Sequence, residues 1–216
     1  MRLNIILDID GTLWDTTGVV SKAWNMASKD VASKGYENYI ITADMLKKEF
    51  GKPMIVIVQD LFPALNEEEQ NALMEACGAY EKKVMEENTD DLTYEGVNET
   101  LDKLSEKHNL YIVSNCRNGY IEHTMKRIGI KDIIKDYECY GRTGMYKTDN
   151  IKLLMQRNDI KEAVYVGDTL GDYTSAKEAG LEFAFASYGF GEVKNPDYVL
   201  KQFSDLLFLE SWKEKQ

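Results

Sequence analysis

The stretch Asn4-Ile5-Ile6-Leu7-Asp8-Ile9-Asp10-Gly11-Thr12-Leu13 decides how the chain is read. Leu3 to Leu7 is an apolar run rich in branched residues and too short for a helix, so it reads as a buried strand. Asp8 then stands at the carboxyl end of that strand, where open α/β sheets bind their ligands. Two carboxylates one residue apart, followed by a glycine that lets the backbone turn sharply, suit a nucleophile, an acid or base and a metal site in one loop. Acidic residues and glycine also end many ordinary strands, so the rest of the chain has to separate the two readings.

Working outward, Leu110 to Val113, Ala163 to Val166 and Glu182 to Ala186 are further strand-like runs, with periodic apolar segments between them. Asn98 is placed to cap a helix carrying Leu101 and Leu104, and a second helix follows Asn118 with Ile121, Met125 and Ile128. A third runs from Thr148 through Ile151 and Leu154, and a fourth from Leu170 to Ala179 stops at Gly180. Strand and helix in repetition predict an α/β fold, a parallel sheet with helices on its faces.

Residues 16–88 break that rhythm. They are mostly helical in pattern and charged, and predict a helical subdomain inserted after the first strand, with 1–15 and 89–216 forming the sheet domain. Asn66-Glu67-Glu68-Glu69 opens the clearest helix of the insertion, Asn66 and Glu69 making a capping box, and this helix is expected to reach about Glu87. Met54 to Val58 has strand composition, but Pro53 stands where a first helical turn tolerates proline and the neighbours are helical, so a helix is expected there too.

Composition narrows the class of function. The 37 acidic and 26 basic residues leave a net charge of -11, a field that opposes nucleic acid and anionic lipid. The longest apolar runs, Leu3 to Leu7 and Met54 to Val58, fall far short of the ~20 residues of a membrane helix. The first residues enter a strand directly, without a tripartite leader pattern, so a cytoplasmic location is expected, with neither nucleic acid nor membrane as partner. Cys77, Cys116 and Cys139 are widely spaced, fit neither a disulfide framework nor a CxxC metal site, and read as thiols.

Three more sites fall at strand ends or helix starts. Ser114 and Asn115 follow Leu110 to Val113 and offer a hydroxyl, an amide and backbone N–H groups to phosphate oxygens. Lys147 stands just before the helix expected from Thr148. Gly167-Asp168-Thr169-Leu170-Gly171-Asp172 follows Ala163 to Val166 and supplies two carboxylates where a hard cation needs oxygen ligands. Singly, each is explained by a capping threonine, a turn asparagine or a surface lysine. Together, in this order and spacing, they mark one site. His108 and His123 read as satisfied or surface residues, Cys116 as a buried inert thiol, and Lys47 and Lys52 as solvated side chains with contact to a substrate anion as the alternative.

On these motifs the sequence resembles, over essentially its whole length, the haloacid dehalogenase superfamily of aspartate-nucleophile phosphotransferases. Asp8 to Leu13, Ser114, Lys147 and Gly167 to Asp172 match its four motifs in order. The resemblance implies a Rossmann-like core with central strand order 5-4-1-2-3, and residues 16–88 as the helical cap of the phosphoglycolate phosphatase and β-phosphoglucomutase branch. Ser187 to Gly191 and Asn195 to Val199 are similar to that branch's closing segments. It further implies that Asp8 attacks phosphorus and that Asp10 protonates the leaving oxygen and then activates water. Ser114, Asn115 and Lys147, with Gly11 and Thr12, would hold the phosphoryl group. Mg²⁺ would sit on Asp8, the Asp10 backbone carbonyl and Asp168, and Asp172 would be a further ligand or would orient Lys147.

The implied activity is a Mg²⁺-dependent phosphatase acting on a small phosphorylated metabolite, as a monomer or homodimer. Phosphoglycolate, a sugar phosphate and a nucleotide are the alternative substrates. Asp10 speaks against the dehalogenases, which lack the second aspartate, and against the phosphonate hydrolases, which replace it with a small residue. Val20 stands where the mutase branch has a histidine, which speaks against a phosphosugar mutase. A non-catalytic protein that binds phosphometabolites or a partner is the competing reading of another class.

Overall fold

Ile5, Ile6 and Leu7 are all fully buried, because β1 (Asn4–Leu7) has a parallel strand on each edge and helices on both faces. The computed structural model describes residues 2–31, 36 and 38–213. After β1 come α1 (Thr17–Val31), α2 (Ala43–Glu49), α3 (Met54–Leu61) and α4 (Glu67–Glu87). The chain then returns to the sheet through α5 (Val97–Lys107), β2 (Asn109–Ser114), α6 (Tyr120–Ile128) and β3 (Ile134–Cys139). Next are α7 (Tyr140–Thr143), α8 (Lys147–Arg157), β4 (Val164–Gly167), α9 (Leu170–Glu178) and β5 (Glu182–Ala186). β6 (Tyr198–Leu200), a 3₁₀ turn over Phe203–Phe208 and α10 (Leu209–Lys213) close the chain.

The strands pair in parallel in the order β3-β2-β1-β4-β5-β6, which contains the expected 5-4-1-2-3 and adds β6 at one edge. Successive side chains of a strand point to opposite faces. Ile5 and Leu7 therefore join Leu101, Leu104, Ile121 and Met125 on one side, while Ile6 joins Tyr165, Ile151, Leu154 and Phe183 on the other. The connections leave β1 toward β2 and later come back on its other edge to β4. That reversal makes the carboxyl ends of β1 and β4 the crevice of the sheet.

The helices between β1 and β2 bury an apolar cluster of their own, in which Val20, Trp24 and Ala27 of α1 meet Leu73 and Cys77 of α4, with Ile57, Val58 and Phe62 beside them. Asn66 accepts from the Glu69 amide at 3.0 Å and the Glu69 carboxylate accepts from the Asn66 amide at 2.9 Å, the capping box read in the sequence. Met54 to Val58 is helical, with Pro53 at the N-cap.

Three local expectations need correction. Asn98 does not cap α5. Gly96 does, with φ +75°, a left-handed conformation open to glycine, and Asn98 lies inside the first turn. Lys147 is the first residue of α8 rather than the one before it. β3 and β6 are not among the strand-like runs that the sequence marks, although the implied strand order holds a place for β3. β3 carries Lys135, Asp136 and Glu138 within its six residues, and Arg157 bonds Asp136 and Glu138, both at 2.8 Å, so the polar composition of an edge strand hid it.

Candidate active site

The turn after β1 is built around Gly11. Thr12 and Leu13 both donate their amides to the Ile9 carbonyl, and Gly11 donates to the Trp14 carbonyl, which requires φ +82° at Gly11. A Cβ at Gly11 would also lie 2.1 Å from Asp168 Oδ2, so only glycine fits. The Gly11 and Thr12 amides are thus engaged within the turn. The Thr12 hydroxyl is buried without a hydrogen-bond partner among the described residues.

Asp8 and Asp168 sit at the ends of adjacent strands, and the Asp8 amide donates to the Val166 carbonyl at 2.9 Å. Lys147 reaches in from α8, its Nζ 2.9 Å from Asp8 Oδ1 and in contact with Asp172 Oδ1. All four residues are at most 2% exposed. Burial pushes the Asp8 carboxyl up to about 7, against the pull of Lys147. Burial opposes the charge on Lys147, yet Asp172 and Asp8 hold its ammonium well above the ordinary range.

Asp172 is fully engaged. Its Oδ2 accepts from the Thr169 amide at 3.0 Å and the Thr169 hydroxyl at 2.6 Å, closing the capping box of α9, while Oδ1 holds Lys147. Asp168 is different. Its Oδ2 accepts the Phe190 amide at 2.7 Å, but Oδ1 is buried with no hydrogen-bond partner among the described residues. Burial, then Asp172 and Asp8, push the Asp168 carboxyl well above the usual range. Asp8, Asp168 and Asp172 each offer an oxygen, all within 4.8 Å of one another, against one lysine. An excess of buried negative charge with an orphaned carboxylate oxygen is a fitting place for a hard cation.

Asp10 is not one of that cluster. Its Oδ1 accepts from Tyr120 Oη at 2.7 Å, Thr16 Oγ1 at 2.9 Å and Trp14 Nε1 at 3.0 Å. Burial raises its carboxyl to about 6, with those three donors opposing the rise. Ser114 ends β2 and is 6% exposed. Asn115 Nδ2 donates to the Gly51 carbonyl at 2.7 Å, tying the sheet domain to the turn between α2 and α3. Ser114, Asn115, Asp8 and Asp10 line one cleft, and Val20, Trp24 and Glu81 line it from the helical insertion.

Cys116 lies in the same cleft, and burial pushes its thiol well above the ordinary range. His108 is satisfied, its Nδ1 accepting the Leu3 amide at 3.3 Å. Lys47 pairs with Asp15 at 3.2 Å, and Lys52 with Glu49 and Asp60, as solvated side chains do. Sequence reasoning missed the three donors on Asp10, the Phe190 amide on Asp168, and Glu81 with Arg117. Ser187 to Gly191 resembles a closing segment, but nothing in it marks Phe190 as the residue whose backbone holds a carboxylate.

A parallel sheet with its crevice at two aspartate-bearing strand ends, beside a buried lysine, defines an α/β protein of Rossmann-like fold. The chain belongs to the haloacid dehalogenase-like hydrolases, a family that matches residues 5–186. It is similar to the pyrophosphatase PpaX of Bacillus velezensis, at 27% identity over 225 residues covering 97% of this chain and 96% of that one. It is also similar in fold to the crystal structure of a predicted phosphoglycolate phosphatase of Haemophilus somnus, with TM-score 0.84, 21% identity, and 97% and 98% of the two chains covered. A predicted phosphatase of Clostridium acetobutylicum matches with TM-score 0.83, 20% identity, and coverage of 97% and 99%.

Proposed function

We propose that the protein hydrolyses a small phosphorylated metabolite, with Mg²⁺ and through a phosphorylated Asp8. The protein is a phosphatase of the haloacid dehalogenase-like family, in keeping with its relatives. The observation that carries the finer reading is the buried Asp8 carboxylate, held at 2.9 Å by Lys147 beside an Asp168 oxygen that has no partner among the described residues. In this reading residues 16–88 are a cap over a core made of 1–15 and 89–216.

Asp8, Asp168 and the Asp10 backbone carbonyl would hold Mg²⁺, and the ion, when bound, supplies charge neutralisation to the phosphoryl oxygens. Lys147, Ser114, Asn115 and the Thr12 hydroxyl hold the phosphoryl group in line with Asp8. An Asp8 oxygen bonds to phosphorus as the bond to the leaving oxygen breaks, and Asp10 gives that oxygen its proton. A carboxyl near 6 retains enough protonated form for this at neutral pH and is a competent base once deprotonated. Asp10 then takes a proton from water, the water oxygen bonds to phosphorus, and phosphate leaves with Asp8 restored. Asp172 orients Lys147, since both of its oxygens are already engaged.

Phosphate release from an aryl phosphate with Mg²⁺ present tests the reading. Asp8→Asn is expected to abolish it with the circular dichroism spectrum intact, because an amide does not attack phosphorus. Activity within about tenfold of wild type, a barrier change of only ~1.4 kcal/mol, overturns the nucleophile assignment. Asp168→Ala is expected to raise the half-saturating Mg²⁺ concentration steeply, and an unchanged value moves the ligand role elsewhere.

A further inference from the structure

The far end of the cleft, where a leaving group would lie, has a chemistry of its own, and its interpretation rests on the phosphatase reading. Val20, Trp24, Met54 and Ile57 give it apolar walls, and the charged side chains that reach it beyond the aspartates are Lys52, Glu81 and Arg117. Each cation already faces a carboxylate. Lys52 Nζ lies 2.6 Å from Glu49 and 2.8 Å from Asp60. Arg117 Nε, in the loop after β2, lies 3.5 Å from Glu81 Oε1 on α4, an ion pair without a hydrogen bond at Nε among the described residues. Glu81 is 6% exposed, and its Oε2 accepts from Trp24 Nε1 at 3.4 Å.

A leaving group that carries a second anion, a carboxylate or another phosphate, needs an unmatched cation here, and none lines the cleft among the described residues. Placed next to Glu81, such a group would set two like charges in a poorly solvated site. A hydroxyl meets the opposite situation, because a buried carboxylate is a strong acceptor and the apolar walls take the carbon face. We infer that Glu81 is a specificity-determining residue, and that with Arg117 it selects phosphate monoesters of uncharged, hydroxylated alcohols, of the polyol or sugar type, over phosphoglycolate and pyrophosphate.

The test uses the full chain with Mg²⁺ and measures phosphate release from glycerol 3-phosphate, ribose 5-phosphate, 2-phosphoglycolate and pyrophosphate, with p-nitrophenyl phosphate reporting the chemistry alone. At least one of the first two is expected to exceed both of the last two in kcat/KM by about tenfold or more. Glu81→Gln keeps the size, removes the charge and leaves Arg117 unmatched. The 2-phosphoglycolate to sugar-phosphate ratio of kcat/KM should then rise by about tenfold, carried by KM rather than kcat. Arg117→Gln should move the same ratio the other way, and decides the matter if the Glu81 variant does not fold. A wild-type preference for phosphoglycolate or pyrophosphate, or ratios that do not move in the folded variants, overturns the inference. Loss of activity on every substrate, p-nitrophenyl phosphate included, instead overturns the phosphatase reading beneath it.

Discussion

The carboxyl that the proposed mechanism assigns to Asp10 is one whose charge works against the stability of the fold. Its carboxyl sits near 6 because burial disfavours the charge more than Tyr120, Thr16 and Trp14 restore it. A carboxyl raised in the folded state stabilises the fold fully below its unfolded pKa, near 4, and that contribution is lost as the pH rises through about 6. Asp10→Asn keeps an oxygen to accept all three donors and carries no charge to bury. In EDTA, the variant's melting temperature is therefore expected to gain on wild type as the pH goes from 5 to 8. A difference that stays flat with pH would mean that Asp10 is not held protonated by its surroundings.

At the scale of elements, the insertion depends on helix ends that the sequence spells out. Asn66 and Glu69 satisfy two amides at the start of α4, whose Leu73 and Cys77 face α1. Asn66→Ala removes one of those bonds and is expected to cost about 1 kcal/mol, a fall in Tm of ~2–4 °C for a chain of this size. Thermal unfolding followed by circular dichroism measures it. The same box on α9, Thr169 with Asp172, does double duty, because Asp172 also holds Lys147. Cap and site share a side chain there, whereas α4 keeps them apart.

At the scale of the molecule, α1 to α4 have an apolar cluster of their own and, among the described residues, lend only Val19 and Met85 to the buried cluster on the sheet, beside a set of polar and edge contacts. They include Asn115 to Gly51, Glu81 to Arg117, Lys47 to Asp15, and an edge contact of Phe50 with Phe190. Elements that carry few buried contacts open most readily. Mg²⁺ with a phosphate mimic such as beryllium fluoride is thus expected to slow amide exchange over Phe50 to Lys52 and leave β1 and β4 unchanged. Exchange that slows equally in the sheet, or nowhere, would show that the insertion does not close on the site. No helix among the described residues is long and apolar enough to cross a membrane.

Legible in the sequence were the strand before Asp8, the loop from Asp10 to Leu13, the buried strands at Leu110 and Ala163, the helix opened by Asn66, and the run of helices between the first two strands. Each is a local pattern, a run of branched apolar residues, a capping pair or a glycine at a forced turn, and local sterics and hydrophobic period suffice to read it. Tertiary contacts alone bring Tyr120 to Asp10 from 110 positions away, set the Phe190 amide on one oxygen of Asp168 while the other has no partner among the described residues, and bring Glu81 to Arg117. The polar strand β3 belongs with these, since it pairs with β2 while Arg157 from another element neutralises its Asp136 and Glu138. Such pairings join residues that no period or spacing links. They exist because the sheet order and the fold of α1 to α4 bring distant side chains into one poorly solvated crevice, where most buried polar atoms pair with one another.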